Sequence, residues 1–289
     1  ICDLLGRIII VFHGRPEDSP RWNASCEEAV AAMADTQIAL GLHSQVEPHR
    51  RGTHPSINAG ISFGNGHTAP LNFRCNSTHR GKIIHDLLTN LGVTRIAGFA
   101  SAAFASMAPK LYNYYEKTIV KILNTYPSLT MPYMKSIFAA TTFNLGGNVW
   151  TCAHADMENL TTGWCSITAL GNFDPKRGGH LVLHTLRMVV EFPPNSVASI
   201  LSSTIVHSNT PIQPGETRWS ITVYTAGGLF CHAEYDCQLE ADFAKEHPEH
   251  YEEIKSGADT RWMNMVDMFS TMDELPGDYQ RVFGFRHSL

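Results

Sequence analysis

The chain has 289 residues, of which 43% are hydrophobic and only 17% are charged. This composition excludes an intrinsically disordered protein. The longest apolar run near the start, Ile8–Phe12, is much shorter than the roughly 18 residues that a membrane span needs, so we expect a soluble protein with no membrane partner. Because the sequence starts with isoleucine instead of methionine, we expect a trimmed or processed chain.

The net charge of −5 is unevenly distributed along the chain. Residues 232 to 289 carry 13 acidic and 5 basic side chains, whereas residues 1 to 231 carry 14 acidic and 17 basic ones. A mildly basic body is compatible with nucleic acid binding, but dedicated binders show a stronger bias. The seven cysteines are scattered and form no C-x-x-C pair, which predicts a reducing, intracellular environment and no disulfide framework.

The first half of the chain is predicted to be mostly helical after one strand. Residues 7 to 12 are mostly β-branched and indicate a buried strand, and residues 25 to 40 carry apolar side chains at helical spacing behind a serine cap. Residues 41 to 78 are rich in Gly, Pro, His, Asn and Arg, which predicts a long functional loop. Residues 78 to 91 and 101 to 126 are predicted to form two helices.

From Ser136 the pattern changes to short strands separated by turn sequences such as Gly-Gly, Asp-Pro and Gln-Pro-Gly. The predicted strands are Ile137–Phe143, Trp164–Leu170, His180–Leu183, Met188–Phe192, Ser196–Leu201 and Arg218–Thr225. Short strands at regular spacing indicate a sandwich or barrel. After Gln238 the pattern is helical again, with an apolar stripe of Trp262, Met265, Val266, Met268 and Phe269 that we expect to pack in the core.

The predicted fold class is therefore a mainly β core with flanking helices, α+β. We expect a single domain over residues 1–289. Within it, residues 1–135 form an N-terminal part with a strand, helices and a long loop, residues 136–230 form the β core, and residues 231–289 form an acidic helical extension.

A His-x-Asp pair is the first candidate for chemistry. His154 and Asp156 follow the strand-like run 149 to 153, so we expect them to share one face. A second histidine, His207, comes 51 residues later within the β pattern. Two histidines and one carboxylate form the facial triad that suits Fe(II) and leaves positions open for a co-substrate and O₂. With 15 histidines in the chain, a His-x-Asp pair alone is weak evidence.

A predicted strand that begins at Arg218 strengthens the assignment. Side chains alternate along a strand, so Arg218 and Ser220 lie on one face with Thr222 and Tyr224. An arginine that points into a β core needs an anion, and its planar fork matches a carboxylate. A dicarboxylate that chelates iron at one end and pairs with Arg218 at the other is 2-oxoglutarate. The alternative is three unrelated polar residues with local partners.

Four segments carry a resemblance to a known family. They are His154–Asn159, Gly163–Gly171, Phe173–Leu183 and Tyr224–Phe230. Together they resemble the TET/JBP dioxygenases, closely the branch abundant in mushroom-forming fungi, most specifically between residues 99 and 230. The resemblance implies a double-stranded β-helix, of jelly-roll or cupin type, that oxidises methyl groups on DNA bases with Fe(II), O₂ and 2-oxoglutarate.

The resemblance also assigns roles to residues. His154, Asp156 and His207 would be the catalytic iron ligands, and Arg218 with Ser220 would hold 2-oxoglutarate. Asn159 would contact the Watson-Crick edge of the flipped base and Tyr224 would stack on it, as an extruded base requires. Two alternatives stay open: Asn159 as a cap of its loop and Tyr224 as a core residue.

One position departs from the family. Cytosine-oxidising relatives often carry a histidine two residues after the stacking aromatic, where this chain has Ala226. We expect polar residues just beyond the strand, His232, Glu234 and Asp236, to substitute, since a carboxylate can accept from the exocyclic amine of cytosine or adenine. Two substrates are therefore predicted: 5-methylcytosine, oxidised to 5-hydroxymethyl-, 5-formyl- and 5-carboxylcytosine, and N6-methyladenine, which would be demethylated.

Further expectations concern partners. Arg50 and Arg51, in the loop that begins at His49, are predicted to bind the phosphates of methylated double-stranded DNA while the target base is flipped out. No protein partner is evident, so we expect a monomer, and the DNA substrate implies a nuclear location. A zinc site from Cys231, Cys237, His247 and His250 fits no common spacing. The alternative functions are a 2-oxoglutarate-dependent hydroxylase of a protein side chain or small molecule, and a binding module with a decayed metal site.

Overall fold

The computed structural model describes residues 1–42, 50–64 and 66–284. Within these ranges the chain forms ten β-strands, nine α-helices and one short 3₁₀-helix at His184–Leu186. The strands make two sheets in which the paired strands run antiparallel.

The larger sheet has seven strands. They are β1 Val11–Gly14, β2 Ser56–Ser62, β3 Leu71–Asn72, β4 Ala140–Asn144, β5 Cys165–Asn172, β8 Val197–Ile200 and β10 Thr217–Tyr224. Their order is β1-β8-β5-β10-β4-β2-β3. In this order β10 pairs with β4 on one side and β5 on the other, and the register sets Ser220 opposite Asn144. The side chains of three neighbouring strands, β2, β4 and β10, are thereby aligned in rows.

The smaller sheet consists of β6 Leu181–Leu183, β7 Met188–Val190 and β9 His207–Asn209, in the order β7-β6-β9. Between β4 and β10 the chain passes from the larger sheet to the smaller one and back twice. That path is a double-stranded β-helix, or jelly roll, and it confirms the predicted mainly β core with flanking helices.

Nine helices flank the sheets in the described residues. They are α1 Ser19–Ala39, α2 Thr78–Thr89, α3 Leu91–Met107, α4 Pro109–Thr125, α5 Gly227–Glu234, α6 Glu240–Glu246, α7 Pro248–Ser256, α8 Ala258–Val266 and α9 Leu275–Phe283. Helix α1 packs against α3 and β5, and α3 also contacts β8, so these helices cover the larger sheet. In the described residues no single helix is long and apolar enough to span a membrane, although α2 and α3 reach that length together across a 60° bend.

Several predicted boundaries were wrong for local reasons. Helix α1 begins at Ser19 instead of residue 25, since Pro20 is well suited to the first turn of a helix. The helix predicted over residues 101 to 126 is two helices that break at Ala108. Pro109 has no N–H to donate and disfavours helical geometry at the residue before it, so it can begin a helix but cannot continue one.

Three other segments differ from the predictions. The long loop predicted over residues 41 to 78 contains β2 and β3, because β2 alternates polar Ser56 and Asn58 with buried Ile57 and Ala59. The run 149 to 153 is not a strand: the chain pairs there only through the isolated bridges Asn148–Arg218 and His154–His207. After β10 the chain turns directly into helix α5.

The main hydrophobic core takes residues from all three predicted segments of the chain. The indole N–H groups of Trp22 and Trp164 donate to the carbonyls of Asn195 at 2.7 Å and Ile9 at 3.0 Å, so both large side chains are buried with their polar atoms paired. The predicted apolar stripe in the last segment packs against this core, except for Trp262, which is 52% exposed. All seven cysteines are free thiols.

Candidate metal centre

Two histidines and one aspartate converge between the two sheets. His207 begins β9, and His154 lies beside it, with each backbone N–H donating to the other residue's carbonyl at 3.0 and 2.8 Å. The backbone N–H of Asp156 donates to the carbonyl of Ser202 at 2.8 Å and fixes the third residue. The predicted triad is therefore brought together by bridges between loop and strand and not by alternation within one strand.

The potential ligand atoms of the three residues all lie within 4.8 Å of one another. Nε2 of His154 is 3.8 Å from Oδ1 of Asp156, and Nε2 of His207 is 4.0 Å from Oδ2 of the same carboxylate. Among the residues that the structure describes, no other group of three histidine, cysteine or acidic side chains is arranged in this way. The zinc site considered for Cys231, Cys237, His247 and His250 is therefore not formed.

Hydrogen bonds set the tautomer of both histidines. Nδ1 of His154 donates to the carbonyl of Cys152 and Nδ1 of His207 donates to that of Ile205, each at 2.8 Å. Each Nε2 is thereby left with a lone pair that points toward Asp156. Burial, together with the neighbouring His207, lowers the pKa of His154 to about 4, and burial lowers the pKa of His207 as well. Both imidazoles are neutral near pH 7, which is the form that binds a metal.

The carboxylate of Asp156 is the third element. It is buried, and its Oδ1 makes no well-aligned hydrogen bond, although Nη2 of Arg51 lies 2.9 Å away as an ion pair. Two neutral imidazoles and one carboxylate on one side of a site fit Fe(II), which takes this set of ligands and keeps further positions for other groups.

Arg218 on β10 is a fully buried charge with an unusual environment. Its side chain is 0% exposed, and only Nη1 donates to a protein group, the carbonyl of Val149 at 3.0 Å. Nε and Nη2 have no hydrogen-bond partner. The ring of Phe173 lies 6.0 Å away, and burial lowers the arginine pKa to about 10. Such a guanidinium presents two unsatisfied donors, an arrangement that fits a carboxylate.

Ser220 lies on the same face of β10, two residues from Arg218. It lines a small cavity of about 30 Å³ together with the three triad residues. The other residues around this cavity are Arg51, Asn144, Thr151, Ile167, Asn209 and Thr222. The unpaired donors of Arg218 and the hydroxyl of Ser220 on the same face of β10 have the chemistry that a carboxylate needs, and the triad has the chemistry that Fe(II) needs. The residues present therefore fit iron and a dicarboxylate such as 2-oxoglutarate, and the role of Arg218 and Ser220 in holding it stays a prediction.

A second cavity of about 430 Å³ lies next to the triad and includes Asp156 in its wall. It also contains Asn159 and Tyr224, which the sequence assigned to base binding, and Ala226, which presents no polar atom. The Asn159 amide donates to Oγ of Ser202 at 3.0 Å, so its side chain is oriented by a neighbour. Burial raises the pKa of Tyr224, which keeps the phenol neutral. A cavity of this size lies within the range of about 300–1,000 Å³ that small-molecule sites occupy.

Arg50 and Arg51 also line this cavity, but they face Asp156. Nη2 of Arg51 lies 2.9 Å and Nη2 of Arg50 lies 4.0 Å from Oδ1 of Asp156, and Arg50 also donates to the carbonyl of Ala155 at 2.8 Å. The Arg50 side chain is 57% exposed and that of Arg51 is 34% exposed. Both stand at the rim with their charge toward the carboxylate of Asp156, and phosphate binding by them stays a prediction. His49 lies outside the described residues.

Glu234 and Asp236 are not brought to the cavity. Glu234 pairs with Arg261 at 3.3 Å, and Asp236 pairs with Lys121. The prediction placed them just beyond a strand, but α5 forms there and ends at Glu234, Asp236 follows in a turn, and neither residue lines the cavity. Their assignment to the base-binding site is therefore corrected.

The cavity contains residues that the sequence did not single out. Its remaining lining consists of Ser56, Asn58, Ser62, Phe73, Thr142, Asn144 and Glu158. A signal existed for β4, where Thr142 is a polar residue inside the predicted strand Ile137–Phe143 and Asn144 directly follows it. Ser56, Asn58 and Ser62 on β2, and Phe73 just after β3, lay in a stretch where apolar residues are sparse, so no strand was expected there. Glu158 lies between the assigned Asp156 and Asn159.

No family model matches the sequence, and no curated protein matches it. Seventy chains of solved structures do match. One is NgTET1 in complex with 5mC DNA, with 18% identity, 79% of this chain and 76% of that chain covered, and a TM-score of 0.46. Another is a 2OG-Fe(II) oxygenase family oxidoreductase from Burkholderia pseudomallei, with 16% identity, 74% and 93% coverage and a TM-score of 0.33.

A third is a Pseudomonas putida prolyl-4-hydroxylase, with 14% identity, 75% of this chain and 92% of that chain covered, and a TM-score of 0.36. What each of these proteins acts on is a property of that protein. For this chain, the chemistry follows from the residues described above: a His-Asp-His triad that fits Fe(II), and a buried arginine that fits 2-oxoglutarate.

Proposed function

We propose that the protein is an Fe(II)- and 2-oxoglutarate-dependent dioxygenase that oxidises methyl groups on DNA bases, with a nuclear location. The observation that carries the proposal is Arg218, a fully buried guanidinium with two unsatisfied donor groups in the same β core as the His154, Asp156 and His207 triad. A decayed binding module would have no reason to retain a buried charge that is costly without its anion. The complete pair of sites therefore favours an enzyme.

The protein's own residues have simple roles in this proposal. Bound iron with O₂ and 2-oxoglutarate supplies the oxidising power that inserts oxygen into a C–H bond, while 2-oxoglutarate becomes succinate and CO₂. His154, Asp156 and His207 hold the metal, and the backbone carbonyls that bind each Nδ1 keep both rings oriented. Arg218 and Ser220 fix the far carboxylate of the co-substrate. The packed β core around Arg218 excludes water.

The neighbouring cavity of about 430 Å³ supports a flat, polar substrate. Tyr224 offers an aromatic face, Asn159 offers both a donor and an acceptor, and Asp156 belongs to both the metal centre and the cavity wall. A nucleobase turned out of a duplex needs a stacking partner and a partner for its Watson-Crick edge. The resemblance of residues 154–159 and 224–230 to TET/JBP dioxygenases supports the same substrate.

Two methylated bases are proposed. Hydroxylation of 5-methylcytosine gives a stable alcohol that can be oxidised again, whereas hydroxylation of the N-methyl group of N6-methyladenine gives a hemiaminal that loses formaldehyde. Ala226 leaves part of the base edge without a polar partner, and Glu158 in the cavity wall has a carboxylate that can accept from the exocyclic amine of either base.

Anaerobic reconstitution with Fe(II) and 2-oxoglutarate tests the proposal. Duplexes that carry 5-methylcytosine or N6-methyladenine are added, then oxygen, and the nucleosides and succinate are measured by mass spectrometry. We expect an oxidised or demethylated base from the wild-type protein and from His85→Ala, which changes an exposed histidine on α2, and none from His154→Ala. Succinate without any change in either base would overturn the DNA substrate and leave the hydroxylase of a protein side chain or small molecule.

A further inference from the structure

A buried chain of hydrogen bonds links a histidine in the first half of the protein to Ser220. Nε2 of His54 lies 3.2 Å from Oδ1 of Asn144, and Nδ2 of Asn144 donates to Oγ of Ser220 at 2.9 Å. All three side chains are buried. Asn144 is directly opposite Ser220 in the register of β4 and β10, so the last link is set by the sheet itself.

The chain of hydrogen bonds has a direction. When Nε2 of His54 carries the proton and donates to Asn144, the Asn144 amide donates to Ser220, whose own O–H is left to donate elsewhere. In the opposite direction Ser220 donates to Asn144, and the Asn144 amide donates to an unprotonated Nε2 of His54. The tautomer of the imidazole and the orientation of the amide therefore decide together what the Ser220 O–H does. It is either free to donate to a ligand or already donated to Asn144.

Only the direction in which His54 donates to Asn144, and Asn144 to Ser220, leaves the Ser220 O–H free to bind an anion. A carboxylate has no proton to give, so it needs donors, and Arg218 on the same face of β10 already presents two that lack partners. Ser220 adds a third donor only if Asn144 occupies its acceptor side. Asn144 also lines both the small cavity at the triad and the larger one beside it, so its side chain stands at the junction of the two.

We propose that His54 is a positioning residue for 2-oxoglutarate, which acts through Asn144 to hold the Ser220 hydroxyl as a donor to the carboxylate at Arg218. The inference rests on the proposed use of 2-oxoglutarate. It adds His54 and Asn144 to the co-substrate site as residues that act on 2-oxoglutarate only through Ser220. A neutral hydrogen bond contributes about 1 kcal/mol, which corresponds to roughly a fivefold change in affinity, and loss of the aligned donor is expected to weaken binding by about five- to tenfold.

The test is a double-mutant cycle of His54→Ala and Ser220→Ala. Binding of 2-oxoglutarate to the Mn(II)-loaded full chain is measured by calorimetry without oxygen, so that no turnover is involved. We expect His54→Ala to weaken 2-oxoglutarate binding by about five- to tenfold. The same change should have no further effect in the Ser220→Ala background, because the chain of hydrogen bonds then has no end to orient. The affinity for Mn(II) should be unchanged in all four proteins.

His54→Gln is the matched conservative variant. Its amide N–H can donate to Asn144 as Nε2 of the imidazole does, so we expect affinity for 2-oxoglutarate to be restored to near the wild-type value. In turnover, the KM for 2-oxoglutarate should rise in His54→Ala and return in His54→Gln, while the KM for DNA stays constant. A merely structural role would not produce this split.

Different outcomes would contradict the proposed function and the positioning role of His54. If the wild-type protein binds Mn(II) but not 2-oxoglutarate, the proposed function itself is wrong. If the wild type binds 2-oxoglutarate and the losses from His54→Ala and Ser220→Ala simply add, the positioning role is overturned.

If His54→Ala does not fold, Asn144→Asp takes its place. The carboxylate of this variant accepts from both neighbours, so it draws the Ser220 proton away from the co-substrate. Removal of Ser220 should then cause no further loss of affinity. A loss as large as that in the wild-type background would overturn the proposal.

Discussion

Arg218 shows what a single residue can reveal about a ligand. A guanidinium that is fully buried with Nε and Nη2 unpaired is unfavourable in the folded protein unless an anion binds there. The sequence had predicted that this side chain points into the β core, from the alternation along β10, and the structure confirms it. The alternation is a property of any strand, which is why one residue's orientation could be derived without the fold.

A substitution of Arg218 should separate folding from co-substrate binding. Arg218→Met replaces the charge with an apolar side chain of similar length, so the ligand-free protein should remain folded. Its affinity for 2-oxoglutarate should fall by about a hundredfold, since two hydrogen bonds to a charged group are lost. Arg218→Lys keeps the charge but loses the planar fork, and should have an intermediate affinity. Thermal unfolding with and without 2-oxoglutarate is the measurement. An equal ligand-induced shift in melting temperature in the wild type and Arg218→Met would contradict this assignment.

His13 on β1 gives a prediction on acid stability. Burial lowers its pKa from 6.5 to about 4, and Nε2 lies 2.8 Å from Oγ of Ser199. A histidine that stays neutral in the folded state but is protonated in the unfolded state contributes stability above pH 6.5 that is lost as the pH falls toward 4. His13→Gln, which keeps a polar partner for Ser199, should lose less stability over this window. Urea unfolding at about pH 7 and about pH 4.5 measures the difference, with exposed His85→Gln as the control. An unchanged pH dependence in His13→Gln would show that burial of this ring is not responsible.

At the scale of elements, the boundary between α3 and α4 is decided by one proline. The apolar stripe continues across residues 101 to 126, so periodicity alone predicts one helix, but Pro109 ends the hydrogen-bonding pattern of the first helix and begins the second. This break lets α4 leave the direction of α3 and contact α5 and α9. At this point the effect of one proline on backbone hydrogen bonding thus outweighs the helical pattern of apolar side chains.

The last helix, α9, is held by a buried carboxylate. Asp278 accepts from Oγ of Ser270 at 2.7 Å, and it pairs with Lys110 of α4 at 3.3 Å and with Arg281. Asp278→Asn keeps the shape but removes the charge, so we expect the free energy of unfolding to fall by about 2 kcal/mol. Asp267→Asn, at a carboxylate that is 78% exposed and 3.9 Å from Arg7, is the matched control and should change it by less than about 0.5 kcal/mol. Equal denaturation midpoints for the two variants would show that α9 is docked by its apolar face alone.

At the scale of the whole molecule, charge is separated between the mildly basic body and the acidic last segment. A polyanionic duplex should be repelled by that segment over distances set by the salt concentration. Helix α7 carries three exposed glutamates, Glu249, Glu252 and Glu253. Because they lie on one helix and are exposed, their charge can be removed without disturbing the core.

Replacement of these three glutamates by glutamine should strengthen binding of a DNA duplex severalfold at low salt. The gain should disappear at about 0.3 M salt, where exposed charges are screened within a few ångströms. The triple replacement by aspartate keeps the charge and is the matched control. Fluorescence anisotropy with a labelled duplex over a salt series is the measurement. Equal affinity of the glutamine and aspartate variants at low salt would show that the acidic segment lies too far from the DNA to matter.

The sequence by itself determined the features that depend on local pattern and side-chain chemistry. Alternating residues and turn signals gave the β core and most of its strands, and the residue types at positions 154, 156, 207 and 218 indicated iron and a dicarboxylate. Each of these inferences needs only the periodicity of a strand or the coordination preference of a group. The order of strands in the two sheets is not a local property, so it could not be obtained in this way.

Only the tertiary structure decided which distant residues meet. The triad closes through a bridge between His154 and His207, and the lining of the larger cavity comes from β2 and β4 as well as β10. Glu234 at the end of α5 and Asp236 in the turn after it pair with Arg261 and Lys121 and do not line that cavity. The hydrogen bonds from His54 to Asn144 and from Asn144 to Ser220 span 90 and 76 residues of sequence. The physical reason is that strand register is set by the packing of the whole core, and a pattern along one segment contains no information on its partner across the sheet.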